Sequence, residues 1–224
     1  SLEVLTMTNR KTPKCRKLRN SEYYNMQELL DGLYADSKSG KTFTNLLAII
    51  TSEENIRLAY RNIKANNGKT IDDLKRWNDK NLIRDIQKSL EWYTPGKVRR
   101  VEIPKANGKT RPLGIPTIKD RLIQQCVLQV LEPICEAKFH ERSNGFRPNR
   151  SAEHAIAQAM TMIQQRSMYY VVDIDIKGFF DNVSHGKLLK QMWSLGIREK
   201  KLLSVIYAML KAEVAGIGFP ERGT

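Results

Sequence analysis

The stretch YYVVDIDIKGFFDNVSH, from Tyr169 to His185, places two aspartates inside an apolar run. Asp173 and Asp175 are two apart, and residues two apart on a β-strand point to one face. The Tyr, Val and Ile around them predict a buried strand. Burying a carboxylate without a partner is costly, and two close together repel. The pattern therefore asks for a cation. Asp181 follows, so carboxylates occur at 173, 175 and 181 around the strand end. A hard ion such as Mg²⁺ takes carboxylate oxygens and keeps room for substrate phosphates. Two such ions can steady the attacking and leaving oxygens of a phosphoryl transfer. On spacing alone a structural alternative stays open, in which Asp181 caps the next helix and Asp173 pairs with an arginine.

The rest of the chain narrows the partner. Its 224 residues can bury a real core, and 38 Lys and Arg against 24 Asp and Glu leave a net charge of +14. Such an excess favours a polyanion, with nucleic acid foremost. No apolar run is long enough to span a bilayer, so no membrane partner is expected. Cys15, Cys126 and Cys135 form no CxxC pair and the three histidines do not cluster, which argues against a zinc site or a disulfide framework. A reducing compartment fits, although the basic, acid-poor start could also be read as a weak organellar presequence.

Along the chain, Arg10, Lys11, Lys14, Arg16, Lys17 and Arg19 make a basic arm. Helices are predicted near 21–35, from Ser52 as N-cap to Gly68 as stop, and over 71–93 with Leu82, Ile83, Ile86 and Leu90 in step. Residues 35–45 read as a loop. At 97 the texture changes. KVRRVEIPKANGKTRPLGIP (97–116) holds two β-like segments around Asn107-Gly108, a hairpin signal. Thr117 and Asp120 then form a capping box for a helix whose Leu122, Cys126, Val130 and Ile134 recur every four, with Pro133 expected to kink or end it. Ser151 is read as the cap of a further helix. Two more follow near 185–195 and 198–211, parted by Gly196. The order of elements predicts an α+β fold.

Two further stretches are candidate sites. Lys97, Arg99, Arg100, Lys105, Lys109 and Arg111 crowd one small ribbon, where cations suit a triphosphate or a nucleic-acid backbone. They equally suit an exposed edge made soluble by charge. SNGFRPNRS (143–151) puts Phe146, Arg147 and Arg150 ahead of a helix N-terminus, as a grip for phosphate or template. In the alternative, Phe146 plugs the core and the arginines face water.

KANGKTRPLGIPTIKDRLIQQ, SNGFRPNRSAEHAI, DIKGFFDNVSH and GFPERGT, in this order, resemble the group II intron-encoded reverse transcriptases, the maturase family. The likeness covers roughly 97–224, and NIRLAYRNIKANNGKTIDDL resembles more loosely the family's segment ahead of the fingers. The resemblance implies a right-hand polymerase fragment: a basic, helical extension over 1–96, fingers over 97–168, and the N-terminal part of the palm over 169–224. It implies RNA-templated DNA synthesis with Mg²⁺, an RNA template, a DNA primer and dNTP, together with binding of the intron RNA to assist splicing and mobility. Oligomeric state is left open, a homodimer included.

Residue by residue, the likeness makes Asp175 the first metal-binding aspartate, joined by the backbone carbonyl of Ile176, with Asp173 a supporting acid rather than a ligand. Phe180 falls where the family places an aromatic beneath the incoming sugar, to clash with a ribose 2′-OH. Lys105 and Arg111 match fingers residues that hold the triphosphate. A strict two-residue turn at Asn107-Gly108 would pair 105 with 110 and set 105 and 111 on opposite faces, so a shared role needs a twisted or wider turn. Lys14, Arg16, Lys17, Arg19, Arg147 and Arg150 are candidate RNA contacts. The family's other catalytic aspartates lie in a YADD-type hairpin; LYADS (33–37) and TIDDL (70–74) precede the fingers and do not fit it. The chain is thus expected to be a fragment ending before that motif, and inactive alone. Two other readings are an RNA-binding module only, or a related bacterial reverse transcriptase of defence or diversity generation.

The charge distribution predicts salt-sensitive binding to structured RNA, because each neutralised phosphate releases counterions. Neutralising Lys14, Arg16, Lys17 and Arg19 together is expected to flatten the slope of log affinity against log salt. An unchanged slope would place the binding surface elsewhere.

Overall fold

A computed structural model describes residues 24–65, 79–104, 108 and 110–223. Its helices are α1 (Gln27–Lys38), α2 (Leu46–Ile50), α3 (Glu53–Ala65), α4 (Asp79–Glu91), α5 (Ile118–Glu136), α6 (Ala152–Arg166), α7 (His185–Ser194) and α8 (Lys200–Leu210). Strands β1 (Arg99–Pro104) and β2 (Thr110–Ile115) pair antiparallel between α4 and α5. The chain is a mixed α+β structure. The arm and the expected stop at Gly68 lie outside the described residues.

The centre of the fold is α5. Leu122, Cys126, Val130 and Ile134, the four-residue repeat read from the sequence, are all fully buried. Around them pack Leu30 and Leu33 of α1, Ile56 and Ala59 of α3, Leu82, Ile86 and Leu90 of α4, and Leu202 and Val205 of α8. The helix runs through Pro133 and ends three residues later at Glu136. Proline cannot donate to the preceding turn, and in the same stretch Ser37 Oγ donates to the Ile134 carbonyl at 2.8 Å.

A buried amide ladder joins α3 to α5. Asn55 Nδ2 donates to the carbonyls of Ile50 and Cys126, Gln129 Nε2 donates to Asn55 Oδ1, and Asn62 Nδ2 donates to Gln129 Oε1. Buried polar groups are tolerable only when paired in this way. The set also fixes the register of the two helices, which apolar contact alone leaves loose. Burial pushes the thiols of Cys126 and Cys135 up, so both stay protonated.

The capping box is present, with an added role. Thr117 Oγ1 accepts from the Asp120 amide at 3.2 Å and donates back to Asp120 Oδ2. The same carboxylate accepts from Tyr93 Oη at 2.8 Å and from the Gly96 amide at 3.0 Å. Asp120 is 4% exposed. It therefore ties the segment leading into the hairpin onto the start of α5. Gly96 must be glycine, since a Cβ there would lie 2.6 Å from Thr117 Cγ2. Burial, then the bond to Asp120, raises the pKa of the Tyr93 phenol above its ordinary value.

One expectation fails here. Residues 167–176 form no strand, and Tyr170, Val171, Val172 and Ile174 are 97%, 81%, 80% and 82% exposed. An extended segment is held only by a paired neighbour and a covered face, and the described residues supply neither. Helix α6 likewise buries no residue, leaving Ile156, Met160 and Ile163 on one uncovered side. Ser151 precedes it, but its hydroxyl contacts His154 Nδ1 at 3.0 Å instead of capping the helix.

Tyr93→Phe is expected to destabilise the fold by about 1–3 kcal/mol, the loss of a hydrogen bond to a charged group. In chemical denaturation the wild type loses this contribution as pH rises above the unfolded phenol's 10.0. The variant should lack that alkaline loss; an equal loss would remove the bond from the account.

Candidate nucleotide site

The hairpin register places Arg99 opposite Ile115, Ile103 opposite Arg111 and Pro104 opposite Thr110. It is one residue displaced from that of a strict two-residue turn at Asn107-Gly108, which would set 104 against 111. The paired residues therefore do not follow the register of a strict turn. Val101, Ile103, Arg111 and Leu113 share one face, directly opposite in pairs. Arg99 and Arg111 are exposed on the ribbon. Lys97 instead pairs with Glu213 at 2.7 Å, and Arg100 with Glu102 at 3.2 Å. Lys105 and Lys109 lie outside the described residues.

The second part is the turn after the apolar segment. Phe180–Asn182 forms a short 3₁₀ turn, and Asn182 Nδ2 donates to the Gly178 carbonyl at 2.8 Å. Phe179 and Phe180 meet edge to face with centroids 5.4 Å apart. Phe180 remains 60% exposed. It is not part of the core formed by the described residues. Asp173, Asp175 and Asp181 are exposed. Among the described residues no three His, Cys, Asp or Glu side chains come together to hold a metal ion.

Segment 213–223 touches both parts. The Val98 amide donates to the Glu213 carbonyl at 2.7 Å, and the Ala215 amide to the Val98 carbonyl at 2.9 Å. At the other end the Gly223 amide donates to the Val183 carbonyl at 2.9 Å. Gly223 also accepts from His185 Nε2 at 2.7 Å. The sequence reading missed both residues. They are 38 positions apart and belong to no shared motif spacing, so only the fold brings them together.

The grip read at 143–151 is corrected. Phe146 does not plug the core; it is fully exposed, with φ at 55°. Arg147 points inward: its Nη2 lies 2.6 Å from Glu136 Oε1, and its Nη1 donates to the carbonyls of His140 and Ser143. Its side chain is only 7% exposed and lies over the Phe139 ring. A guanidinium spent in this way braces the turn against the end of α5, and the expected RNA contact at Arg147 gives way to that role. Arg150 stays half-buried. No described helix is long and apolar enough to cross a membrane.

With hairpin, turn and connecting segment placed, the comparisons fall on the same region. The family described as reverse transcriptase (RNA-dependent DNA polymerase) matches residues 103–222. The chain belongs to this family. Protein YkfC of Escherichia coli (strain K12) is 39% identical over 129 residues, 56% of this chain and 34% of that protein. Group II intron-encoded protein LtrA of Lactococcus lactis subsp. cremoris is 37% identical over 179 residues, 77% of this chain and 29% of that protein. Nuclear intron maturase 1, mitochondrial, of Arabidopsis thaliana is 26% identical over 143 residues, 61% of this chain and 18% of that protein. The resemblance to group II intron reverse transcriptases and maturases drawn from the motifs is borne out by the family match and these names. The chain spans about a third or less of the length of these relatives. Reverse transcriptases generally use divalent metal ions.

Proposed function

We propose that this chain supplies the fingers (97–168) and the first part of the palm (169–224) of an RNA-directed DNA polymerase encoded by a group II intron. Residues 1–96 are its basic, helical extension. One observation carries the reading. Across the matched region and at its two borders, the cationic hairpin and the Phe180 turn are both held by segment 213–223, while Asp120 anchors the hairpin to α5. This is a frame in which one ligand could meet both.

The ligand is a deoxynucleoside triphosphate. Arg111 holds phosphate oxygens on the exposed ribbon, with Lys105 as its expected companion. Phe180 presents a ring edge to the sugar and leaves no room for a 2′-OH, the group that separates ribonucleotides from deoxynucleotides. Asp175, with the Ile176 carbonyl, is one ligand of Mg²⁺, whose octahedral oxygen preference suits a carboxylate beside phosphates. The bound ion would supply charge stabilisation to the phosphoryl transfer. The template is RNA and the primer DNA. The exposed apolar run at 169–176 and the bare face of α6 are where further polymerase structure would pack. The arm at 10–19 and Arg150 would bind intron RNA, as expected of a protein that assists splicing. Bacterial relatives at 39% and 37% identity support a bacterial cytoplasmic protein.

In the full-length protein, Asp175→Asn should abolish DNA synthesis while leaving RNA binding and melting temperature unchanged. The swap is nearly isosteric, and an amide is a poor Mg²⁺ ligand. Phe180→Ala should keep synthesis but admit ribonucleotides. At 60% exposure its truncation should cost much less than the about 3–5 kcal/mol of a core phenylalanine. Single-nucleotide incorporation with matched dNTP and rNTP, beside a melting curve, reads both. Persistent synthesis by Asp175→Asn, or unchanged sugar preference in Phe180→Ala, would overturn the respective assignment.

A further inference from the structure

We infer that segment 213–223 is a positioning strap that sets the distance between the hairpin and the Phe180 turn, and that His185 and Gly223 are its lock. The inference rests on the reading of Phe180 as the residue that meets the sugar.

The strap begins at the hairpin base. Val98 bridges Val214 in parallel, through its amide to Glu213 and its carbonyl to Ala215, and the Lys97–Glu213 ion pair lies alongside. The strap then folds into a tight turn, where Val214 and Gly218 exchange backbone hydrogen bonds at 2.8 and 2.9 Å. It ends on the Phe180 turn, where Arg222 bridges Ser184 antiparallel.

Gly223 lies against the turn's backbone. A Cβ there would sit 3.2 Å from the Asp181 carbonyl oxygen and 3.3 Å from that of Phe180, and φ is +93°. Side chains rarely adopt that φ, and the obstacles are backbone atoms that cannot swing aside. Any larger residue would push the Phe180 turn away.

His185 holds Gly223 in place. It is 3% exposed, and its ring meets Tyr207 edge to face. Among the described residues its one hydrogen-bond partner atom is a carbonyl oxygen, so Nε2 carries the proton and donates. Its Nδ1 is then a buried acceptor with no partner among the described residues. A phenylalanine would fill the same space without that cost. What histidine adds is the Nε2–H bond to Gly223. A residue needed only for packing would not require it.

The test uses the full-length protein on an RNA template and DNA primer, with matched dGTP and GTP as probes. His185→Phe and Gly223→Ala are expected to raise the dGTP KM about tenfold, the size of one lost hydrogen bond, and to relax sugar discrimination in the direction of Phe180→Ala. His185→Gln, whose amide can donate from a similar position, should restore much of both. Gly223→Ala is expected to melt earlier because of its backbone strain, whereas the melting temperature of His185→Phe and the RNA affinity of both should stay near wild type, which a purely structural role would not allow. A second readout is independent of Phe180. Amide exchange in the peptide covering 96–104 should quicken in His185→Phe and Gly223→Ala, because loosening one end of the strap frees the other. If Phe180→Ala relaxes discrimination and neither strap variant does, the strap inference is wrong and the sugar reading stands. If Phe180→Ala leaves discrimination unchanged, the sugar reading fails and the exchange result decides the strap. Unchanged exchange at 96–104 in both variants overturns it.

Discussion

The carboxylate of Asp120 is the fixed point from which the candidate site is built. A hairpin of two six-residue strands has too little buried surface to hold its own orientation. Its direction must come from its ends. Asp120 accepts from Tyr93, Gly96 and Thr117 at once, so the chain entering β1 is clamped to the first turn of the helix that forms the core. A carboxylate fully supplied with donors is stable at depth, where an unpaired one would be expelled. The close approach of Gly96 to Thr117 leaves little play in the junction.

From that junction the constraint passes outward through backbone bonds. Val98 hands it to Glu213 and Ala215, and segment 213–223 delivers it to Val183 and His185 beside the Phe180 turn. Arg111 and Phe180 therefore sit on two small elements, neither with much core of its own, held to one helical body. This division suits a binding site: rigid support behind, exposed cation and exposed ring in front. Arg147 follows the opposite logic. Its charge is buried against Glu136 and serves the turn that bears it.

Most of the core was legible in the sequence because helical spacing is a local signal. Leu122, Cys126, Val130 and Ile134 announce a buried face by period alone, and Thr117 with Asp120 announces where that helix begins. The hairpin was legible from Asn107-Gly108, but not its register, which depends on how the whole ribbon twists. The run around Asp173 reads as a buried strand by composition. Burial, however, belongs to a pair of elements, and among the described residues no second element covers it. Arg147 was misread because its partner Glu136 lies on another element, invisible to spacing. The lock at His185 and Gly223 joins two stretches whose separate motif likenesses say nothing of contact.

The account's central claim is that hairpin and Phe180 turn face one nucleotide. A structure of the full-length protein on an RNA template and DNA primer, with a matched dNTP and Mg²⁺, tests it most directly. The account predicts the triphosphate on the Arg111 face of the ribbon, the sugar edge against Phe180, and Asp175 on the ion. A triphosphate held away from the hairpin, with Phe180 packed out of reach of the sugar, would contradict it.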